Sequence, residues 1–139
     1  MRDIHHIVIH HSASPLTTTA ADIDRWHKDR GWSGTGYHQI IESSGEAILG
    51  RPLEQIPAAN RGFNTHAIAI CLVGDNTTLQ DRWVAPQVEK LKVLLSVHCT
   101  RWPKAIVLGH RDLPGASTLC PGLDIRQLFG LSPLVDDGN

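Results

Sequence analysis

The side chains of this 139-residue sequence best suited to chemistry are nine histidines and three cysteines. Histidine is the commonest protein ligand for transition metals and the group most readily tuned near neutral pH. His10 closes the β-branched run Ile7-Val8-Ile9, and His110 follows the apolar segment Ala105 to Leu108 after a single glycine. Each therefore stands at the end of a predicted strand. If those strands are neighbours, the two imidazoles leave one sheet edge together and enter one cleft, where the ligand sites of α/β sheets usually lie. Cys120 follows in the same polar loop as His110. Two imidazoles and a thiolate form a three-donor set for zinc that leaves the fourth tetrahedral position open, as catalytic zinc centres require. Spacing alone is a modest signal, because no close pair such as HExxH or CxxC is present. The same residues permit a second chemistry, in which Cys120 is a nucleophile, His110 its base and Asp112 the orienting group.

The elements that must position these residues are legible from periodicity. Ile4 to His10 reads as a buried strand that ends where the chain turns polar before Pro15. Thr17, Thr18 and Thr19 offer N-cap hydroxyls, Asp22 suits a first turn, and Gly31 stops a helix over 20–30 whose Ile23, Trp26, His27 and Arg30 share a face. Tyr37 to Glu42 and Ala47 to Gly50, joined by Ser43-Ser44-Gly45-Glu46, predict a hairpin. Ala67 to Val73 is a continuous apolar run and predicts a central strand. From Pro86, the residues Val88, Leu91, Leu95, His98 or Cys99, and Trp102 recur at helical spacing until Pro103. Ala105 to Leu108 predicts another short strand, and Ile125 to Phe129 a last short helix. Alternating strands and helices predict a single α/β domain over 1–130, a central mixed sheet flanked by helices, with a frayed tail over 131–139.

Composition narrows the function classes. The 13 basic and 14 acidic residues leave a net charge of −1, without the basic footprint of a dedicated nucleic-acid binder. Three cysteines cannot all pair and are too sparse for a disulfide-stapled fold, so Cys71 and Cys99, set in apolar segments, are expected to be inert thiols. The N-terminus lacks the apolar core of a signal peptide, and no apolar run nears the roughly 20 residues of a membrane span. The expectation is a monomer, cytoplasmic on synthesis, with no membrane insertion.

Several blocks come in one order: Val8-Ile9-His10-His11-Ser12-Ala13, Trp26-His27 with Gly31-Trp32, Gly36-Tyr37-His38, Gly62-Phe63-Asn64 leading to Ile68-Ala69-Ile70, and Gly109-His110-Arg111-Asp112 with Cys120-Pro121-Gly122. Each block is weak, but the ordered set resembles the zinc N-acetylmuramoyl-L-alanine amidases, a family that includes short phage endolysins and the peptidoglycan recognition proteins. The resemblance spans about Ile4 to Phe129. It implies that His10, His110 and Cys120 hold Zn2+, and that Tyr37 and Thr118 match the catalytic tyrosine and the polar residue two positions before the ligand cysteine. It also implies a peptidoglycan or muropeptide substrate and hydrolysis of the amide joining the lactyl group of N-acetylmuramic acid to L-alanine. Phage members often carry lysine where Thr118 stands, whereas catalytic recognition proteins carry threonine. A second departure is Ala59-Asn60, where relatives tend to place a substrate-contacting histidine.

Plainer roles compete for several residues. His27 and His98 are expected to pack, and His66 to sit in a turn. Only one of His10 and His11 should face the cleft, since neighbours on a strand point to opposite faces, and His38 should likewise face away from Tyr37. Arg111 and Asp112 suit either loop structure or orientation of His110. Two alternatives keep the fold and change the function. One is a recognition module that binds muropeptides without cutting, against which the retention of all three donors argues. The other is an amidase that recycles wall fragments in the cytoplasm instead of lysing the wall like an endolysin.

Overall fold

The structure, a computed structural model, describes residues 2–134 of the chain. Its elements run β1 (His6–His11), α1 (Ala20–Asp29), β2 (Gln39–Ile41), β3 (Ala47–Leu49), β4 (Ala67–Leu72), α2 (Ala85–Arg101), β5 (Ile106–Gly109) and α3 (Ile125–Leu128). The strands form one sheet in the order β3-β2-β4-β1-β5. Among the described residues only the β2–β3 hairpin is antiparallel, so the sheet is mixed, as the alternation of elements predicts.

The two longest strands, β1 and β4, lie at the centre, and their apolar runs are buried on both faces because layers cover each side. On one face Ile7, Ile9, Ile68, Ile70 and Leu72 pack beneath Leu91 and Leu95 of α2. On the other, Ile40 and Cys71 pack beneath Ala20 and Ile23 of α1, and Val8 meets Leu108 and Leu113. Side chains alternate along a strand, so His10 shares the second face with Val8. The β1 ladder opens at His6, two residues later than the apolar pattern predicts, because the N–H groups of His5 and His6 both donate to the carbonyl of His66.

The helices are held by capping and by buried polar bonds. Thr19 Oγ1 accepts from the Asp22 N–H at 3.1 Å and Asp22 Oδ2 from the Thr19 N–H at 2.9 Å, a reciprocal box that satisfies two otherwise unpaired donors. Gly31, with φ +89°, takes the left-handed conformation that ends α1. Of the predicted face of α1, Ile23 and His27 are buried, but Trp26 is 40% exposed. In α2 the position that periodicity overlooks is Gln87, fully buried, whose amide donates to the carbonyls of Ile41 and Val73. It bridges β2 and β4 at the point where the helix begins. His98 packs as expected and is bonded as well, Nε2 lying 2.9 Å from Gln39 Oε1.

At the C-terminal end, the Leu131 N–H donates to the Arg126 carbonyl and the Arg126 guanidinium to that of Ser132, so the chain folds back on α3 for two residues beyond Gly130. The rest of the tail expected to fray, 135–139, lies outside the described residues.

His38 ties three segments together. Its N–H donates to the Ala69 carbonyl, its Nδ1 accepts from the Ala69 N–H at 3.1 Å, and its Nε2–H donates to the Gln55 carbonyl at 2.7 Å. That pattern uses the neutral ring, and burial pushes its pKa down from 6.5 to about 4. In the unfolded chain the imidazole titrates near its ordinary value, so between about 6.5 and about 4 the unfolded state takes up the proton that the folded state refuses. The stabilisation by His38 is complete above pH 6.5 and is lost as the pH falls through that window. Urea unfolding from pH 7 to pH 4 is expected to show His38→Gln less stable at neutrality, with its deficit narrowing on acidification. A deficit constant across the range would contradict this account.

Candidate metal centre

β1 and β5 run parallel as neighbours, with Ile9 opposite Gly109. The next residue of each strand is a histidine, and the rings of His10 and His110 lie 4.7 Å apart at the C-terminal edge of the sheet. Cys120 reaches them from the loop after β5, its Sγ 3.6 Å from His10 Nδ1. Among the described residues, these three each offer one donor atom, and all the donors lie within 4.8 Å of one another. His11 points away, its Nδ1 accepting from the Asn76 N–H at 3.2 Å and lying 3.9 Å from Asp75 Oδ1.

The loop bearing Cys120 is fixed at both ends. The Arg111 N–H donates to the Cys120 carbonyl at 2.7 Å, and Asn76 Nδ2 donates to that of Pro121 at 2.8 Å. Pro121 lies so close over Gly109 that a Cβ there would come within 2.7 Å of its ring. Asp112 turns back into this structure, its Oδ2 accepting from the Gly109 N–H at 2.9 Å. Of the two roles open to Asp112, the loop role is the one its bonding shows.

His10 is oriented from behind. Its Nε2 lies 2.6 Å from Asn60 Oδ1, and since that oxygen only accepts, the ring proton sits on Nε2 and the Nδ1 lone pair faces His110 and Cys120. Asn60 is fully buried and its own segment is braced by Asn64, whose Oδ1 accepts from the N–H groups of Ala59 and Asn60. Sequence reading marks Asn60 only as a departure. Its partner stands 50 residues away, and no local spacing announces that bond.

The electrostatics suit a set of metal donors. Burial, followed by the nearby His110, pushes the His10 pKa down to about 3, and burial lowers that of His110, so both rings are neutral at pH 7. Burial pushes the Cys120 thiol up to about 11. A catalytic cysteine needs the opposite, a thiolate stabilised by its neighbours. With Asp112 also bonded elsewhere, the cysteine-nucleophile arrangement lacks both its ionised thiol and its orienting carboxylate. A divalent cation resolves the thiol's position, since a coordinated thiol is deprotonated outright.

Tyr37 and Thr118 stand beside this cluster. The Tyr37 ring lies 5.3 Å from that of His10, and burial together with the Cys71 and Cys120 thiols holds its hydroxyl well above the ordinary pKa, so it keeps its proton. Thr118 Oγ1 accepts from the Cys120 N–H at 3.1 Å, the local turn its residue type favours. Two hollows flank the donors. One, of about 380 Å³, is lined by Arg61, Phe63, His110, Ala116 and Thr118. The other, of about 350 Å³, is lined by His27, Arg30, Trp32, Tyr37, Ala59 and Arg61. Arg61 belongs to both, and no carboxylate lines either. His27 is buried as predicted, but it also accepts from the Gly36 N–H at 2.8 Å and so shapes the groove wall.

This is a one-domain α/β fold with an open three-donor centre at the carboxyl edge of its sheet. The sequence profile of the N-acetylmuramoyl-L-alanine amidases matches residues 1–123, and the chain belongs to that family. It is 28% identical over 134 residues to the endolysin of Klebsiella phage KP32, covering 93% of this chain and 87% of that one. It is 31% identical over 129 residues to peptidoglycan-recognition protein SC2 of Drosophila melanogaster, covering 85% and 68% respectively. Among solved structures, the Ph2119 endolysin of a Thermus scotoductus bacteriophage superposes with a TM-score of 0.83 at 31% identity, over 92% of this chain and 83% of that one.

If the three-donor cluster takes zinc, Asn60→Ala is expected to lower the affinity for added Zn2+ about 10- to 100-fold while leaving the fold intact, the usual effect of removing the group that orients a ligand histidine. Competition with a chromophoric chelator measures it, and unchanged affinity would refute the orienting role.

Proposed function

We propose that this amidase cleaves the bond between N-acetylmuramic acid and the L-alanine of the stem peptide, using Zn2+ held by His10, His110 and Cys120. The observation that carries this reading is the convergence of those three donors in a groove, with His10 already set in the ligand tautomer by Asn60. When bound, zinc polarises the scissile carbonyl and brings the pKa of a water toward neutrality.

The remaining work falls to the chain's own side chains. Tyr37 keeps its proton throughout the working range and so has a hydrogen to donate, which suits stabilisation of the oxygen that gains charge as the carbonyl carbon becomes tetrahedral. Thr118 accepts from the Cys120 N–H, leaving its own proton for a group in the adjoining hollow. Arg30 and Arg61, in a groove without carboxylates, favour an acidic stem peptide. With no carboxylate lining the groove and the Tyr37 hydroxyl holding its proton, the proton that the departing alanine nitrogen needs comes from water.

The endolysin relatives favour wall lysis, following release to the wall, over recycling of soluble fragments. Among the described residues no helix is long and apolar enough to cross a membrane.

Mass spectrometry of products from purified peptidoglycan tests the reaction. Zinc-loaded protein is expected to release stem peptides beginning with L-alanine and to leave glycan stripped of peptide, with both lost on chelation. Wall left uncut with protein bound to it would replace this reading with the recognition module, and cleavage of soluble muropeptides alone would support recycling. Tyr37→Phe is expected to keep its zinc and lose about 10²-fold in kcat, the usual effect of removing one oxyanion donor. A kcat within a few-fold of wild type would remove Tyr37 from that role.

A further inference from the structure

At the opposite end of β1 from His10, the side chains of Asp3, His5 and His66 converge on the surface. None of them takes part in the centre described above. At about 3.3 Å per strand residue, the five residues from His5 to His10 place the two clusters about 16 Å apart.

Three observations distinguish this trio from a chance surface cluster. First, its donor atoms, one from each residue, all lie within 4.8 Å of one another, and Asp3 Oδ2 and His5 Nε2 are 3.0 Å apart. Metal–donor bonds of about 2.0–2.1 Å in tetrahedral geometry place donors about 3.3 Å apart, so the Asp3–His5 pair already has that spacing and the His66 ring turns out of its stack on His5 to close the set. Second, the His66 tautomer is set for coordination. Its Nδ1–H donates to the Asp3 carbonyl at 2.9 Å, which leaves Nε2 with a free lone pair. The His5 ring stacks on it at 4.3 Å, the planes 16° apart, and shared coordination of one ion replaces this stack. Third, the backbone beneath is fixed. The Arg2 guanidinium donates to the carbonyls of Leu53, Asn64, Thr65 and Ala67, and the His66 carbonyl accepts from the N–H groups of His5 and His6. The three side chains remain exposed, open to an ion from solvent.

We propose that Asp3, His5 and His66 form a second, solvent-facing site for a divalent transition-metal ion of the zinc, nickel or copper class. On binding, the ion takes the place of the hydrogen between His5 and Asp3. The His5 proton moves to Nδ1, Nε2 offers its lone pair, and the carboxylate supplies one negative charge. Water completes the coordination. Two imidazoles and one carboxylate are a donor set that these ions accept and that calcium or magnesium, which prefer oxygen alone, do not. The bound ion joins the segment entering β1 to the residue before β4, fastening the two central strands at the end remote from the groove, and stabilises the fold by mass action.

Zinc content after equilibrium dialysis against micromolar Zn2+ tests the site. The wild-type protein is expected to hold about two equivalents, and His5→Ala/His66→Ala about one with its amidase rate unchanged. Titration with Co2+ separates the sites, since only the Cys120 centre gives a thiolate-to-metal charge-transfer band. In wild type that band saturates while a further equivalent still binds, and in the double variant binding ends with the band. Asp3→Asn, which removes the charge but preserves the side-chain shape, is expected to weaken the second equivalent and leave the band unaltered. Equal metal content in wild type and double variant would overturn the proposal.

Discussion

The parallel pairing of β1 with β5 is the constraint on which the site depends. Its register sets Ile9 against Gly109, so the next residue of each strand emerges beside its counterpart with no further device to align them. Parallel strands put their carboxyl ends on the same edge, and side-chain alternation then selects His10 and turns His11 away. A shift by one residue would exchange the two histidines and turn Ile7 and Ile9 out of the core beneath α2. Packing of the apolar face and placement of the metal donors are thus fixed by the same ladder, and neither can change without the other.

What was legible in the sequence follows from how local each determinant is. The β-branched run before His10 and the apolar run at 67–73 declare buried strands, and Thr19 with Asp22 declares a helix start, because each pattern is complete within a few residues. The meeting of His10, His110 and Cys120 required strand order, which periodicity does not contain. The ordered resemblance supplied that pairing, and the structure places the three donors together.

Residues whose importance lies in a distant partner were harder to read. Asn60, Asn76 and Gln87 are buried amides that lie off the apolar periodicity and serve backbone or ring atoms far away in sequence. A buried amide must find partners or lose their hydrogen-bond energy, so burial itself would have flagged them, but burial is a property of the fold. His98 and His38 show the same limit from the other side. His98 was legible as a packing residue and His38 only as one facing away from Tyr37, and their bonds to Gln39, Gln55 and Ala69 emerge only once the strands are laid side by side.

The closure of the chain between His110 and Cys120 carries a consequence for how such an enzyme diversifies. The bond from the Arg111 N–H to the Cys120 carbonyl and the seat of Pro121 on Gly109 fasten both feet of the excursion, while Leu113, Ala116 and Thr118 along it form one wall of the groove. Residues between the feet other than Asp112 and Thr118, which bond the Gly109 and Cys120 N–H groups, can be exchanged without unfastening His110 or Cys120. Selection can therefore reshape what the groove accepts from one bacterial wall to another while the bond-breaking apparatus stays still.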